Sequence, residues 1–300
     1  MYESTVRRAV ISYLVLVSGA CSGGTTQPPS SPASGTGSPT SGRTDVGAFE
    51  LAYECRGAGS PTIVLEAGYD SAGTATFAGL IDEISETSHV CTYDRAGTGS
   101  SDPRPGAEGL TSGDQADELH ALLDGAGVEP PYVLVAYSYG GIVSRLFASR
   151  YPEETVGLVL IESSHEDEIA AYRRFYDGGP EADWVDGGDL LDMGVTATEL
   201  RVAARDLGEL PLVSIRAERY DDVLSEELWV RTQADLATIS SDGLQVIALD
   251  SGHSVMDDNP AVVLAAASAV ADAARSGEPL PPCDELFAGL EVDCPSLRGP

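Results

Sequence analysis

The chain has 300 residues, room for one large domain or two small ones, and 42% of them are hydrophobic, enough to bury a sizeable core. Formal net charge is −31, from 48 acidic against 17 basic residues, and all 17 are Arg. With no Lys there is no Schiff-base lysine for pyridoxal phosphate and no P-loop lysine, and a field this negative repels nucleic-acid phosphates.

At the N-terminus, Arg7 and Arg8 precede a short apolar run from Ala9 to Val17. That run is too short to span a bilayer as a stable helix and fits the hydrophobic region of a secretory signal. Residues 16–21 read L-V-S-G-A-C, and Gly19 and Ala20 before Cys21 resemble a bacterial lipobox, with Ser18 where that motif usually has an aliphatic residue. The resemblance implies a signal peptide over 1–20, cleavage before Cys21 and lipidation of its thiol; plain cleavage after Ala20 is the alternative. Residues 21–46 then form a lipidated Cys and a tether, since 22–45 are mostly Gly, Ser, Thr and Pro and cannot bury enough surface to fold. The expectation is an exported protein, held at the extracytoplasmic face of the cell membrane by a lipid anchor only, or secreted.

Four further cysteines, Cys55, Cys91, Cys283 and Cys294, make an even count, which in an exported chain favours disulfides over free thiols. Three pairings are possible, and a Cys283–Cys294 link would staple the C-terminal segment, 276–300. Zinc is the rival reading, but there is no C-x-x-C pair and the four His are scattered.

From Gly47 to residue 300 the pattern is that of one folded domain. Phe49–Cys55 alternates like an exposed strand, 62–66 is a β-branched run, Thr74–Glu86 reads as helix, and 89–93 as strand. Thr111 or Ser112 caps a helix with Ala116, Leu119, Leu122 and Leu123 on one face. Strands are expected at 132–137, 156–161, 211–215 and 244–249, with helices at 139–151, near 224–240 and at 260–275. Near-continuous apolar strands alternating with helices predict a doubly wound α/β fold with a mostly parallel sheet. Residues 165–208 break the rhythm and are too long for a connecting loop, so they read as a small inserted helical lid.

The chemistry concentrates at A-Y-S-Y-G-G, 136–141, where a strand ends and a helix begins. A nucleophile there is pushed above the sheet on a strained turn, and small residues two before and two after let strand and helix backbones approach. Ala136 and Gly140 meet that need around Ser138. His253, in S-G-H after the final apolar strand, can reach back over the sheet as a base; His89, His120 and His165 are less apt, with His120 expected to be solvated on a helix face.

With these residues in view the chain resembles an α/β-hydrolase. The resemblance rests on V-L-E-A-G-Y (64–69), Y-D-R-A-G-T-G-S-S-D (93–102), A-Y-S-Y-G-G (136–141), L-V-L-I-E-S-S-H (158–165) and S-G-H (251–253), in that order. It implies that the second and fourth strands are neighbours, which would place Cys55 beside Cys91; Cys55–Cys91 with Cys283–Cys294 is therefore favoured. It implies Ser138 as nucleophile and His253 as base, with the backbone N–H groups of Tyr139 and Tyr69 as the oxyanion hole. Asp94 and Arg95 are expected to fix a loop by an ion pair. For the acid, the family's commonest position reads R-A-E-R-Y-D-D, with Tyr220 at the expected Asp place, Asp221 one later and Glu218 two earlier. The family's other position holds Glu162, which is preferred, with Asp221 the alternative.

The expected function is that of a serine hydrolase, esterase-like, cleaving a carboxylic ester or amide of a small-molecule acyl substrate with a Ser–His–acid triad. An aminopeptidase-like hydrolase of the same fold and a non-catalytic exported binding protein are the alternatives, and the intact Ser–His pair argues against the second. Tyr172, Phe175, Tyr176 and Trp184 of the lid form either an apolar acyl pocket or lid core. No metal or organic cofactor, no nucleic acid and a monomer are expected.

Overall fold

The computed structural model describes residues 39–106, 109–175, 184–220 and 224–297. The expected signal peptide, Cys21, all but the end of the expected tether, Tyr176 and Asp221 lie outside the described residues.

The first strand pair is antiparallel: β1 (Thr40–Asp45) runs against β2 (Glu50–Arg56) with Thr40 opposite Cys55 and Asp45 opposite Glu50. The parallel part begins at β3 (Thr62–Glu66) and continues, after α1 (Gly73–Thr76) and α2 (Ile81–Ser85), with β4 (His89–Tyr93). Helix α3 (Ser112–Gly125) leads to β5 (Tyr132–Tyr137), and α4 (Gly140–Arg150) to β6 (Thr155–Ile161). An inserted segment follows: α5 (Glu166–Phe175), the hairpin β7 (Trp184–Asp186) and β8 (Asp189–Leu191), and α6 (Met193–Ala203). The chain rejoins the sheet at β9 (Leu212–Ala217), passes through α7 (Glu226–Leu236) to β10 (Gly243–Ala248), and ends in α8 (Val255–Asp258), α9 (Pro260–Ser276), α10 (Cys283–Leu286) and β11 (Val292–Asp293).

The nine-stranded order is β1-β2-β4-β3-β5-β6-β9-β10-β11, parallel from β4 to β10 and antiparallel at both edges. Successive side chains of β5 serve opposite cores: Tyr132, Leu134 and Ala136 pack toward α3 and α4, while Val133 and Val135 pack toward α2 and α9. Burial on both faces is why these strands read as unbroken apolar runs. Helix α3 starts as expected, with Thr111 and Asp114 in a reciprocal capping box.

Two expectations need correction. The end of the tether is folded: β1 falls within 21–46, because an edge strand needs backbone pairing more than apolar side chains. Arg43 anchors it, donating to Glu50 and Asp102, and Thr44 is buried. The helix expected over 74–86 is two short ones, interrupted where Phe77 and Leu80 turn into the core. His120 is partly exposed, as expected of a helix face, and it also stacks on Tyr151 with ring centroids 3.9 Å apart and pairs with Glu154.

Cys55 and Cys91 face each other across β2 and β4 and are bonded, as are Cys283 and Cys294. His89 joins the first pair within ligand distance, but sulfurs spent in a disulfide offer a metal no thiolate.

A chain starting at Gly47 is expected to melt at least about 3 °C below one starting at Pro39, roughly 1 kcal/mol for a domain of this size, and to scatter more light on heating because β2 becomes an open edge. Equal melting temperatures would show that β1 adds nothing.

Candidate active site

Ser138 stands where β5 gives way to α4, with φ at +53°, a left-handed conformation that non-glycine residues rarely hold. Its N–H donates to the Ile161 carbonyl at 2.9 Å, and its own carbonyl accepts from Ser164 N–H at 3.1 Å, so β6 and the loop after it hold the turn from both sides. Glycine is required next to it: a Cβ on Gly140 would lie 2.5 Å from the Ala67 carbonyl oxygen and 2.6 Å from that of Glu66. Strand β3 and helix α4 therefore meet backbone to backbone.

Glu162 follows β6 and is also left-handed, φ +49°. It is 2% exposed, and its Oε1 accepts from Ala217 N–H at 2.6 Å, a tie to β9. Its Oε2 lies 3.1 Å from His253 Nδ1, and His253 Nε2 lies 3.1 Å from Ser138 Oγ. A carboxylate cannot donate, so Nδ1–H donates to Glu162 and Nε2 is left to accept from the Ser138 hydroxyl. Burial pushes the Glu162 carboxyl above the usual range, partly offset by His253 and the Ala217 N–H.

The His253 loop is fastened beneath. Glu218 accepts from Asp250 N–H at 2.9 Å, Asp258 accepts from Gly252 N–H at 2.7 Å, and Arg219 N–H donates to the Ser251 carbonyl at 3.0 Å. Glu218, weighed as a carboxylate near the imidazole, thus braces backbone. Tyr220 stacks on Trp229, centroids 5.5 Å apart, and Trp229 meets the His253 ring edge to face at 6.3 Å.

Tyr139 begins α4, where helix N–H groups lack partners within the helix, and Gly68 lies against the Ser138 turn. Both tyrosines touch Trp184, at 5.6 Å from Tyr69 and 5.5 Å from Tyr139. The expected Asp94–Arg95 ion pair is not made. Asp94 accepts from Thr74 and Ser100, whereas Arg95 turns inward to Glu66 and Asp186. The reason is burial: the guanidinium is 3% exposed and meets carboxylates from β3 and β7. His165 is buried at the start of α5, its Nε2 3.1 Å from Asp235, and burial lowers its pKa.

A cleft of about 650 Å³ opens over Ser138 and His253, walled by Tyr172, Trp184, Tyr220 and Trp229 with Arg219 at its side. Trp184 answers both readings of the lid aromatics, since it packs against the core and lines the cleft. Nothing in the sequence singles out Trp229 and Arg219; the 3.6-residue spacing of Trp229, Thr232, Gln233 and Leu236 marks only a buried face.

Residues 61–183 match the model of a family described as alpha/beta hydrolase fold. The chain has that fold. It is 28% identical over 213 residues to the uncharacterized protein YqjL of Bacillus subtilis (strain 168), covering 69% of this chain and 82% of that one. An AB hydrolase superfamily protein of Gibberella zeae is 34% identical over 115 residues, 35% of this chain and 33% of that one. A thermophilic esterase from Thermogutta terrifontis superposes with a TM-score of 0.54 at 21% identity, covering 79% of this chain and 98% of that one. In the alpha/beta hydrolase fold, the ends of β5, β6 and β10 here bring Ser138, Glu162 and His253 together.

Because the folded state raises the Glu162 pKa, this carboxyl stabilises the fold below the usual Glu range, and that contribution is lost as pH rises through its folded value. Glu162→Gln is therefore expected to melt no lower than wild type at pH 8, with its relative standing falling as pH drops through the raised folded value toward about 4.3 and staying level below that. A Glu162→Gln variant that melts well below wild type at pH 8 and gains on it in acid would contradict the burial argument.

Proposed function

We propose that this protein is a serine hydrolase that cleaves a carboxylic ester of a small-molecule acyl substrate through an acyl-enzyme. The observation that carries the reading is the continuous Ser138–His253–Glu162 alignment, with both links at 3.1 Å. Ser138 Oγ attacks the acyl carbon while His253 Nε2 takes its proton. The carbonyl π pair moves to oxygen, and the N–H groups of Tyr69 and Tyr139 stabilise that charge. The tetrahedral adduct collapses, the C–O bond to the alcohol breaks, and the imidazolium returns the proton to the leaving oxygen. Water then repeats the sequence with His253 as base, releasing the acid and restoring Ser138. Glu162 holds the Nδ1–H tautomer and balances the imidazolium charge. The aromatic walls of the cleft suit an apolar or aromatic acyl group.

Wild type is expected to hydrolyse p-nitrophenyl esters and to be labelled by a fluorophosphonate. Ser138→Ala should fall on the order of 10⁶-fold in kcat, and Glu162→Gln on the order of 10⁴-fold, because the amide disfavours the needed imidazole tautomer. A wild type that neither turns over nor is labelled would make the protein a binding module on this scaffold.

We also propose that the chain is exported and anchored through a lipid on Cys21. The reading rests on the L-V-S-G-A-C segment at 16–21; no helix among the described residues is long and apolar enough to cross a membrane. Cys21→Ala should move the protein from the membrane fraction to the soluble exported fraction; unchanged partition would exclude the anchor.

A further inference from the structure

Behind the cleft wall, Arg95 lies among backbone groups of the loop that follows β3. Its Nη1 donates to the Ala67 carbonyl at 2.9 Å and its Nη2 to the Gly68 carbonyl. Two carboxylates fix the guanidinium: Glu66 at 2.5 Å, and Asp186 of the inserted hairpin at 2.7 Å. Asp186 also grips the loop itself, for its Oδ1 accepts the N–H of Asp70 at 2.7 Å. The peptides on both sides of Tyr69 are thus held by one buried ion pair.

The direction of that hold matters. The 68–69 peptide is not among the cis bonds, so its C=O and N–H point opposite ways. Arg95 draws the Gly68 carbonyl inward, which turns the Tyr69 N–H outward. Gly68 itself lies against the Ser138 turn: a Cβ placed on it would be 3.4 Å from Ser138 Cβ.

The same network reaches the other donor. Gln115 Nε2 donates to Asp186 Oδ2 at 3.0 Å, and the Tyr139 hydroxyl donates to Gln115 Oε1 at 2.5 Å. Ser112 Oγ lies 2.8 Å from that hydroxyl, and the Arg95 guanidinium sits 5.3 Å from the Tyr139 ring centroid. Tyr139 is fully buried, and these partners hold its side chain in place.

We infer that Asp186, carried by the inserted segment, is a positioning residue that orients both oxyanion donors, Tyr69 through Arg95 and Tyr139 through Gln115. The inference rests on the serine-hydrolase reading above. It makes the inserted segment part of the catalytic geometry as well as a wall of the cleft. A buried ion pair contributes little net stability compared with apolar packing, but it fixes directions that apolar packing does not.

The test uses Asp186→Asn, which keeps an acceptor for the Asp70 N–H, and Asp186→Ala, which does not. Active sites are counted with a fluorophosphonate, so turnover is expressed per competent site. Losing one oxyanion donor typically lowers kcat by 10²–10³-fold. The expected order is therefore wild type, then Asp186→Asn lower by about 10-fold, then Asp186→Ala lower by about 100-fold, with KM within about two-fold throughout. Inhibition by a trifluoromethyl ketone, which forms an oxyanion on Ser138, should weaken in parallel with kcat. The crystal structure of Asp186→Ala should show the Gly68 carbonyl released from Arg95 and the 68–69 peptide turned.

Unchanged kcat per site and unchanged ketone affinity would overturn the inference, as would a lower melting temperature or fewer active sites with the peptide unmoved. If wild type turns over no ester and binds no ketone, the hydrolase reading falls. The orientation of the 68–69 peptide in Asp186→Ala then decides separately whether Asp186 holds this loop.

Discussion

Everything at this site depends on the reversal of the chain at Ser138. Strand β5 is paired on both sides, to β3 and β6, and cannot shift, so the turn into α4 must occur within one residue. The left-handed backbone of Ser138 makes that possible, and the closeness of Gly140 to the β3 carbonyls keeps it in place. Strain of this kind is worth on the order of 1–3 kcal/mol per residue and persists only where the surroundings over-determine it. Here they do, through hydrogen bonds from Ser138 to β6 and to the loop beyond it. Glu162, one strand over, repeats the arrangement, with its N–H bonded to Ile215 of β9. Two strained residues at the ends of adjacent parallel strands thus face one imidazole.

Much of this was legible in the sequence because buried parallel strands leave a strong trace. A strand covered on both faces is apolar at every position, and a single charge at its end, as at Glu162, stands out. Ser138 was legible because its neighbours must be small for a steric reason, and His253 because it follows the last apolar run. The pairing of cysteines followed from strand adjacency that the family resemblance supplied.

What escaped the sequence has a common physical character. The β1 segment T-S-G-R-T-D carries no apolar alternation, since it is held by backbone pairing and by Arg43. The partners of Arg95 could not be read from its neighbour Asp94, because Asp186 is 91 positions away and sits beside G-G-D, which looks only like a turn. His120 is a part-exposed residue on α3, as it reads, but its stacking on Tyr151 at the end of α4 leaves no mark in the sequence. Long-range polar contacts leave no periodicity, and only the fold brings them together.

With Glu162 at the end of β6 as the proposed acid, the segment after β9 need not supply a carboxylate. Arg219, Tyr220 and Trp229 come from that segment and from the helix after it, and they form one wall of the cleft. In the proposed reaction, substitutions at Tyr220 can reshape what the cleft admits while Glu162 stays tied to β9 and Ser138 to β6; Trp229, which meets the His253 ring, is less free to change. On that reading, the groups that carry the chemistry and most of those that meet the substrate come from different segments. A lineage built on this arrangement could then explore new acyl groups largely one aromatic side chain at a time.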